Sequence, residues 1–210
     1  MLLHDFTTAP SPRRVRIFLA EKGLDVPIHA VDLAKGEQLS DAYRAKNPRC
    51  TVPMLETDAG DCIWDTLAIC EYVEALHPAP PLIGQSPLER AQVVMWYQRI
   101  ELDGFLQAAD VIRNVSPFFK GRALFGPLGA EQFPALVERG RPRVQQFYRD
   151  MDARLKESTF VAGDCYSLAD IQLLCVIDFA AGWGRMPVPD ECAALLAWKQ
   201  KADARPGSKA

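Results

Sequence analysis

The chain has no CxxC pair among its six cysteines (Cys50, Cys62, Cys70, Cys165, Cys175 and Cys192) and no cysteine spacing typical of a metal site. That removes the usual sequence signals of a zinc module or a dithiol redox centre. No apolar run approaches the roughly 20 residues that a membrane-spanning helix needs. Excess positive charge is also missing. The net charge of −3 gives no electrostatic reason to expect nucleic acid. Only three histidines are available for acid–base work: His4, His29 and His77. "MLLHDF" reaches Asp5 before an apolar core of a signal peptide can form. Cys70 and Cys175 lie in apolar helical patterns, where a reduced thiol is expected. Together these absences point to a reducing, cytoplasmic setting.

What remains is an ordinary globular composition, 49% apolar and 24% charged over 210 residues. "LLHDF" and "PIHAVDL" read as short strands flanking a helix in "PRRVRIFLAEKGL", with Gly23 just past its end. Strand, helix, strand at this spacing predicts a parallel pair with a right-handed crossover. "SDAYRAKNP" reads as a short polar helix. "TVPMLET" and "CIWDT" then bracket a hairpin turn at Gly60. A helix over "TLAICEYVEALHP" follows, with Leu67, Cys70, Val73 and Leu76 expected on its inner face. The order is therefore βαβ followed by ββα.

"PAPPLIGQSP" reads as a linker, after which no segment looks like a strand. Ser86 and Glu89 predict a capping box that opens a helix reaching about Asn114. A second helical stretch covers Ala135 to Glu157, with a kink or break expected at Gly140 and Pro142. Ser167 and Asp170 form another capping-box pattern, with Tyr166 and Ile171 placed as a hydrophobic staple. A last helix is expected from Glu191 to Ala204.

"RRVRIFLAEKGL", "LAKGEQLSDAYRAKNPRCTVPMLETDAGDCIWDTLAICEYV" and "FVAGDCYSLADIQLL", in this order, resemble the cytosolic glutathione transferase superfamily along nearly the whole chain. The resemblance implies an α/β thioredoxin-like N-terminal domain over residues 1–78 that binds glutathione. It also implies a linker over 79–86, an all-α C-terminal domain over 87–210, and a homodimer. Glutathione would be the co-substrate, a small hydrophobic electrophile the second substrate, and no metal, nucleic acid or membrane partner is implied.

The same resemblance assigns residues to the parts of glutathione. In "TVP" it gives Val52 the tripeptide's peptide groups, with Pro53 cis, an isomer that costs little before proline. A ligand lying strand-like beside Val52 would pair with its N–H and C=O. Asp65 and Thr66, at a helix start, suit the γ-glutamyl ammonium and carboxylate, although the family usually has Glu-Ser there. The same two residues could simply cap the helix. Lys35 and Gln38 match the glycyl-binding region, with Arg13 and Arg14 as other cations on that flank.

The thiol is the centre of the chemistry, because the thiolate is the nucleophile. A donor at the start of the first helix, helped by the helix dipole, lowers a thiol pKa. Ala9 stands where serine- and cysteine-type members often carry their catalytic residue, and it has no side-chain donor. Ser11 is then the first candidate and Thr8 the second. Ser11 has a rival duty, since Ser11-Pro12 also reads as an N-cap followed by proline. On the acceptor side Tyr97, Phe105, Arg113, Phe118, Phe119 and Trp183 are candidates, with "RNVSPFFKGR" as a lip. Two other readings stand beside transfer. One is a glutathione-dependent disulfide or peroxide reductase, and the other a non-catalytic transferase-like binding module.

Overall fold

The computed structural model describes all of residues 1–210. β1 (Leu2–Asp5), α1 (Pro10–Glu21) and β2 (Ile28–Ala30) form the expected crossover, with β1 and β2 parallel. α2 (Asp41–Lys46) is capped by Ser40, whose hydroxyl accepts the Tyr43 N–H. β3 (Met54–Glu56) and β4 (Cys62–Trp64) are the antiparallel hairpin, and α3 (Thr66–Leu76) closes the unit. The sheet order is β2-β1-β3-β4, with β1 antiparallel to β3.

This topology collects several chain ends at one edge of the sheet. β1 and β2, being parallel, both leave the sheet at that edge, after Asp5 and Ala30. Met54 opens β3 there, opposite both His4 and Trp64. Residues 7–11, 32–39, 52–53 and 65–66 therefore all lie at the same end of the sheet.

The remainder is helical: α4 (Pro87–Ile100), α5 (Leu106–Val115), α6 (Pro134–Glu157), α7 (Leu168–Gly184) and α8 (Ala193–Asp203). No helix is long and apolar enough to cross a membrane. Ser86 and Glu89 make the capping box that opens α4. The long helix expected to reach Asn114 is interrupted by a π-helical turn, Glu101–Phe105, between α4 and α5. A side chain at Gly104 would collide with the Phe147 ring of α6. α6 itself runs continuously through Pro142, so of the kink or break expected from sequence the break does not occur. Pro142 faces solvent, while Gly140 lets α5 approach so closely that a Cβ would meet Val111 at 2.6 Å. Tertiary packing overrides local propensity here.

α3 also turns differently from its apolar pattern. Ile69, Cys70 and Val73 are buried, but Leu76 is exposed. Glu74 takes an inner position because it is paired there. Its carboxylate accepts the Leu82 and Ile83 N–H groups and meets the buried Lys22 ammonium at 2.5 Å. Lys22 also donates to the carbonyls of His77 and Pro80, so this cluster ties the linker to α1 and α3. After α8, Pro206–Lys209 forms a 3₁₀ turn against α1, where Arg205 pairs with Glu21 and Arg13 donates to the Ser208 carbonyl.

Asp170 is the polar centre of the helical half. Its buried carboxylate accepts from Val161 N–H at 3.0 Å, Ser167 N–H at 3.0 Å, the Ser167 hydroxyl at 3.1 Å and Trp198 Nε1–H at 2.9 Å. Burial pushes the carboxyl up to about 6 despite those donors. Asp170→Ala leaves several buried donors without a partner, so it should cost about 3 kcal/mol or more in urea unfolding. Asp170→Asn should cost less, because it keeps one acceptor oxygen.

Candidate functional site

The first turn of α1 carries an unusual donor set. Ala9, not Ser11, is the N-cap, and it makes no side-chain capping bond. Pro10 and Pro12 have no N–H, so Ser11 supplies the only amide proton of the first three helical residues. Neither that N–H nor the Ser11 hydroxyl is given to another protein group. The capping duty expected as the rival of thiol contact is therefore not what occupies Ser11. The helix begins two residues earlier than the serine suggests because proline at the first helical position already has the required φ.

α1 and α3 meet at their N-termini. Thr66 is buried, and its hydroxyl donates to the Ser11 carbonyl at 3.4 Å. Asp65 caps α3 by accepting the Leu67 N–H at 3.1 Å, and does so at φ 103°, ψ 127°. A non-glycine residue held in that region signals local strain of the kind that clusters at functional sites. Capping holds for Asp65, but Thr66 is spent on the inter-helix contact. The Val52–Pro53 bond is cis, and neither Val52 N–H nor its C=O is bonded to another backbone group.

The glycyl side is less uniform. Lys35 is 87% exposed and pairs with Asp32 at 3.1 Å, out in solvent. Gln38 lies on the 3₁₀ turn Glu37–Leu39, and its Oε1 is enclosed without a donor. Glu37 anchors that turn, accepting the Asp32 N–H at 2.7 Å and meeting His29 Nε2 at 2.7 Å. Arg13 and Arg14 are both committed elsewhere. Arg13 meets Asp178 of α7 at 2.6 Å, and Arg14 is buried against Glu101 at 3.1 Å.

A cleft between the halves is lined by Thr8, Pro10, Arg13, Asp178, Phe179 and Trp183. Thr8 thus faces the side of α7 that carries Trp183. Among the expected acceptor aromatics, Tyr97 and Phe105 are instead buried in the core, whereas Phe118 and Trp183 are exposed and lie 6.5 Å apart. Sequence periodicity could not separate those two groups. Phe179 and Asp178 were missed because both sit within a helix that is apolar nearly all round.

Set beside known proteins, the chain matches a model for the glutathione S-transferase N-terminal domain over residues 8–76. It matches a model for the C-terminal domain of the same proteins over residues 114–206. Glutathione S-transferase 2 of Saccharomyces cerevisiae is 37% identical, covering 100% of this chain and 88% of that protein. The crystal structure of Gtt2 from Saccharomyces cerevisiae superposes with a TM-score of 0.91 at 35% identity, over 100% of this chain and 99% of that one. A glutathione S-transferase domain-containing protein of Marinobacter aquaeolei gives a TM-score of 0.90 at 34% identity, covering 99% and 100% of the two chains. The chain belongs to the glutathione S-transferase family and is an enzyme of that kind.

Two outcomes test the local geometry. Asp65→Asn keeps an acceptor for the Leu67 N–H but removes the charge. Its stability should stay within about 0.5 kcal/mol of the parent, while glutathione affinity measured by calorimetry falls about tenfold. The second concerns His4, whose imidazole is held below its usual value, chiefly by burial, with Glu56 opposing and His29 and Lys46 adding to the shift. The unfolded chain then takes up this proton first as pH falls, so stability drops through and below the ordinary histidine range and is flat above it. His4→Gln should reduce the fall in melting temperature between about pH 7 and about pH 5.5.

Proposed function

We propose that this enzyme conjugates glutathione, as the thiolate, to small apolar electrophiles. Residues 1–78 would supply the glutathione half, residues 87–210 the acceptor half, and 79–86 the join. The observation that carries the reading is the pair of free donors on Ser11, N–H and Oγ–H, at the positive end of α1. Glutathione sulfur held there is stabilised as the anion by both donors and by the helix dipole. Thr8, at the mouth of the cleft, is the next hydroxyl within that region.

The rest of the tripeptide has matching partners. Val52, beside cis Pro53, offers its N–H and C=O to the peptide groups. The N-terminus of α3 takes the γ-glutamyl carboxylate, and Asp65 takes the ammonium. Thr66 acts through its bond to Ser11, holding the two helix ends together. Gln38 serves the glycyl end more directly than Lys35, whose ammonium would first have to leave Asp32. The attacking sulfur forms a carbon–sulfur bond as the acceptor's leaving group departs with the bonding pair; the thiol proton has already passed to water. The six free cysteines accord with a reducing cytoplasm, and the family with a homodimer.

Ser11→Ala removes one donor to a charged sulfur, worth about 1.5–3 kcal/mol. The bound thiol's titration, followed by thiolate absorbance, should move up in pH. Turnover with a chloronitrobenzene near neutrality should fall about tenfold to a hundredfold. Thr8→Val should have a smaller effect. An unchanged thiol titration in Ser11→Ala would sink the assignment. Reduction of a mixed disulfide without conjugation would favour the reductase reading, and glutathione binding without either reaction the binding module.

A further inference from the structure

The segment from Ser116 to Phe133 leaves α5 and returns to α6 without joining either helix, apart from a 3₁₀ turn at Pro117–Phe119. Its two ends are pinned together. Gln132 Nε2 donates to the carbonyls of Arg113 and Ser116, each at 2.8 Å, and the Phe133 N–H donates to Asn114 Oδ1 at 2.8 Å. Its interior is organised by one side chain. Arg113 Nε donates to the Ala123 carbonyl at 2.7 Å, and Nη2 donates to the carbonyls of Arg122, at 2.8 Å, and Leu124.

The same guanidinium contacts two aromatic rings, its carbon lying 4.4 Å from the ring centres of both Phe119 and Phe125. No carboxylate pairs with it in the structure. Burial and the neighbouring Arg122 charge pull its pKa down to about 10, so it stays protonated near neutrality. Its charge is met by carbonyl dipoles and aromatic faces alone.

What Arg113 holds leads to the cleft. Phe118 lies against Phe119 at 5.0 Å and against Trp183 at 6.5 Å. Phe125 stacks on buried Phe105 at 6.1 Å, which in turn meets Phe179 at 5.6 Å. Trp183 and Phe179 line the cleft beside Thr8. At its far side the loop touches the other half of the molecule, since a Cβ on Gly126 would sit 2.9 Å from the Arg49 carbonyl oxygen. Phe118, Phe125 and Trp183 remain 46%, 44% and 48% exposed. They are held in place but not covered.

We propose that Arg113 is a positioning residue for acceptor choice: by clamping the loop it sets Phe118 beside Trp183 as a wall that favours flat aromatic acceptors over small or linear ones. The proposal rests on the reading of the cleft as the acceptor half of a glutathione transferase. Lysine cannot replace the arginine, because a single ammonium cannot bond three successive carbonyls while lying flat between two rings.

The test compares ligands that differ only in what hangs from sulfur: glutathione, S-methylglutathione and S-(2,4-dinitrophenyl)glutathione, each titrated calorimetrically. In Arg113→Ala the aromatic conjugate should weaken about tenfold, as expected for a lost aromatic stack, with the other two ligands within about twofold of the parent. Arg113→Lys should behave like Arg113→Ala. Trypsin should cut after Lys120 or Arg122 at least about tenfold faster in both variants, if the clamp closes the loop. Should Arg113→Ala fold poorly, Phe118→Ala removes the wall and leaves the clamp, and should show the same split among ligands with no change in cleavage after Lys120; Arg122 is left out of that comparison because its guanidinium rests on the Phe118 ring. Equal weakening of all three ligands, full rescue by lysine, or unchanged cleavage would each overturn the proposal. A parent protein that binds neither glutathione nor its conjugates would overturn the transferase reading and this inference together.

Discussion

The site depends on an ion pair between buried Arg14 and half-buried Glu101 that seats α1 against the helical half of the molecule. Arg14 is nearly inaccessible, and its guanidinium meets Glu101 at 3.1 Å and lies 4.2 Å from the centre of the Phe105 ring. Gln172 of α7 donates to the same Glu101 oxygen at 2.6 Å. A charge removed from water is tolerated only when it is paired and hydrogen-bonded. The pair therefore specifies how α1 seats on the helical half more than it adds net stability. The π-helical turn carries both contacts, since Glu101 and Phe105 are its first and last residues.

Once α1 is seated, the other parts of the site follow in sequence. Its first turn faces the end of the sheet where β1 and β2 leave and β3 begins. Its Arg13 reaches Asp178, which lines the cleft together with Phe179 and Trp183 of the same helix. The Ser11 end of α1 and the cleft face of α7 are thus joined by one ion pair.

Much of the architecture could be read from local patterns because local physics specifies it. The individual strand and helix signals of the βαβ–ββα unit and the Ser86 and Ser167 capping boxes rest on contacts within a few residues. What escaped was set at long range. Leu76 and Glu74 exchange their expected environments because Lys22, distant in sequence, supplies the partner for Glu74. Pro142 breaks nothing because α6 is held by its packing on α5. Pro53 is cis and Asp65 caps α3, as the short motifs suggest, whereas Lys35 is exposed and paired with Asp32. Arg113 appeared in the sequence only as a cation near aromatics, because its partners are main-chain carbonyls that no residue type announces.

The two prolines that flank Ser11 have a consequence for selectivity. A helix N-terminus ordinarily offers several amide protons side by side, enough to grip a phosphate or a carboxylate through more than one oxygen. At α1, Pro10 and Pro12 reduce the offer to a single amide and one hydroxyl on the same residue. An anion with several oxygens finds too few donors there, while an anion whose charge sits on one atom finds what it needs. The N-terminus of α3 has no proline in its first turn and keeps the Thr66 and Ala68 N–H groups beside the Leu67 N–H that Asp65 caps. On the proposed reading, the two helix ends would sort anions by the number of atoms over which the charge is spread.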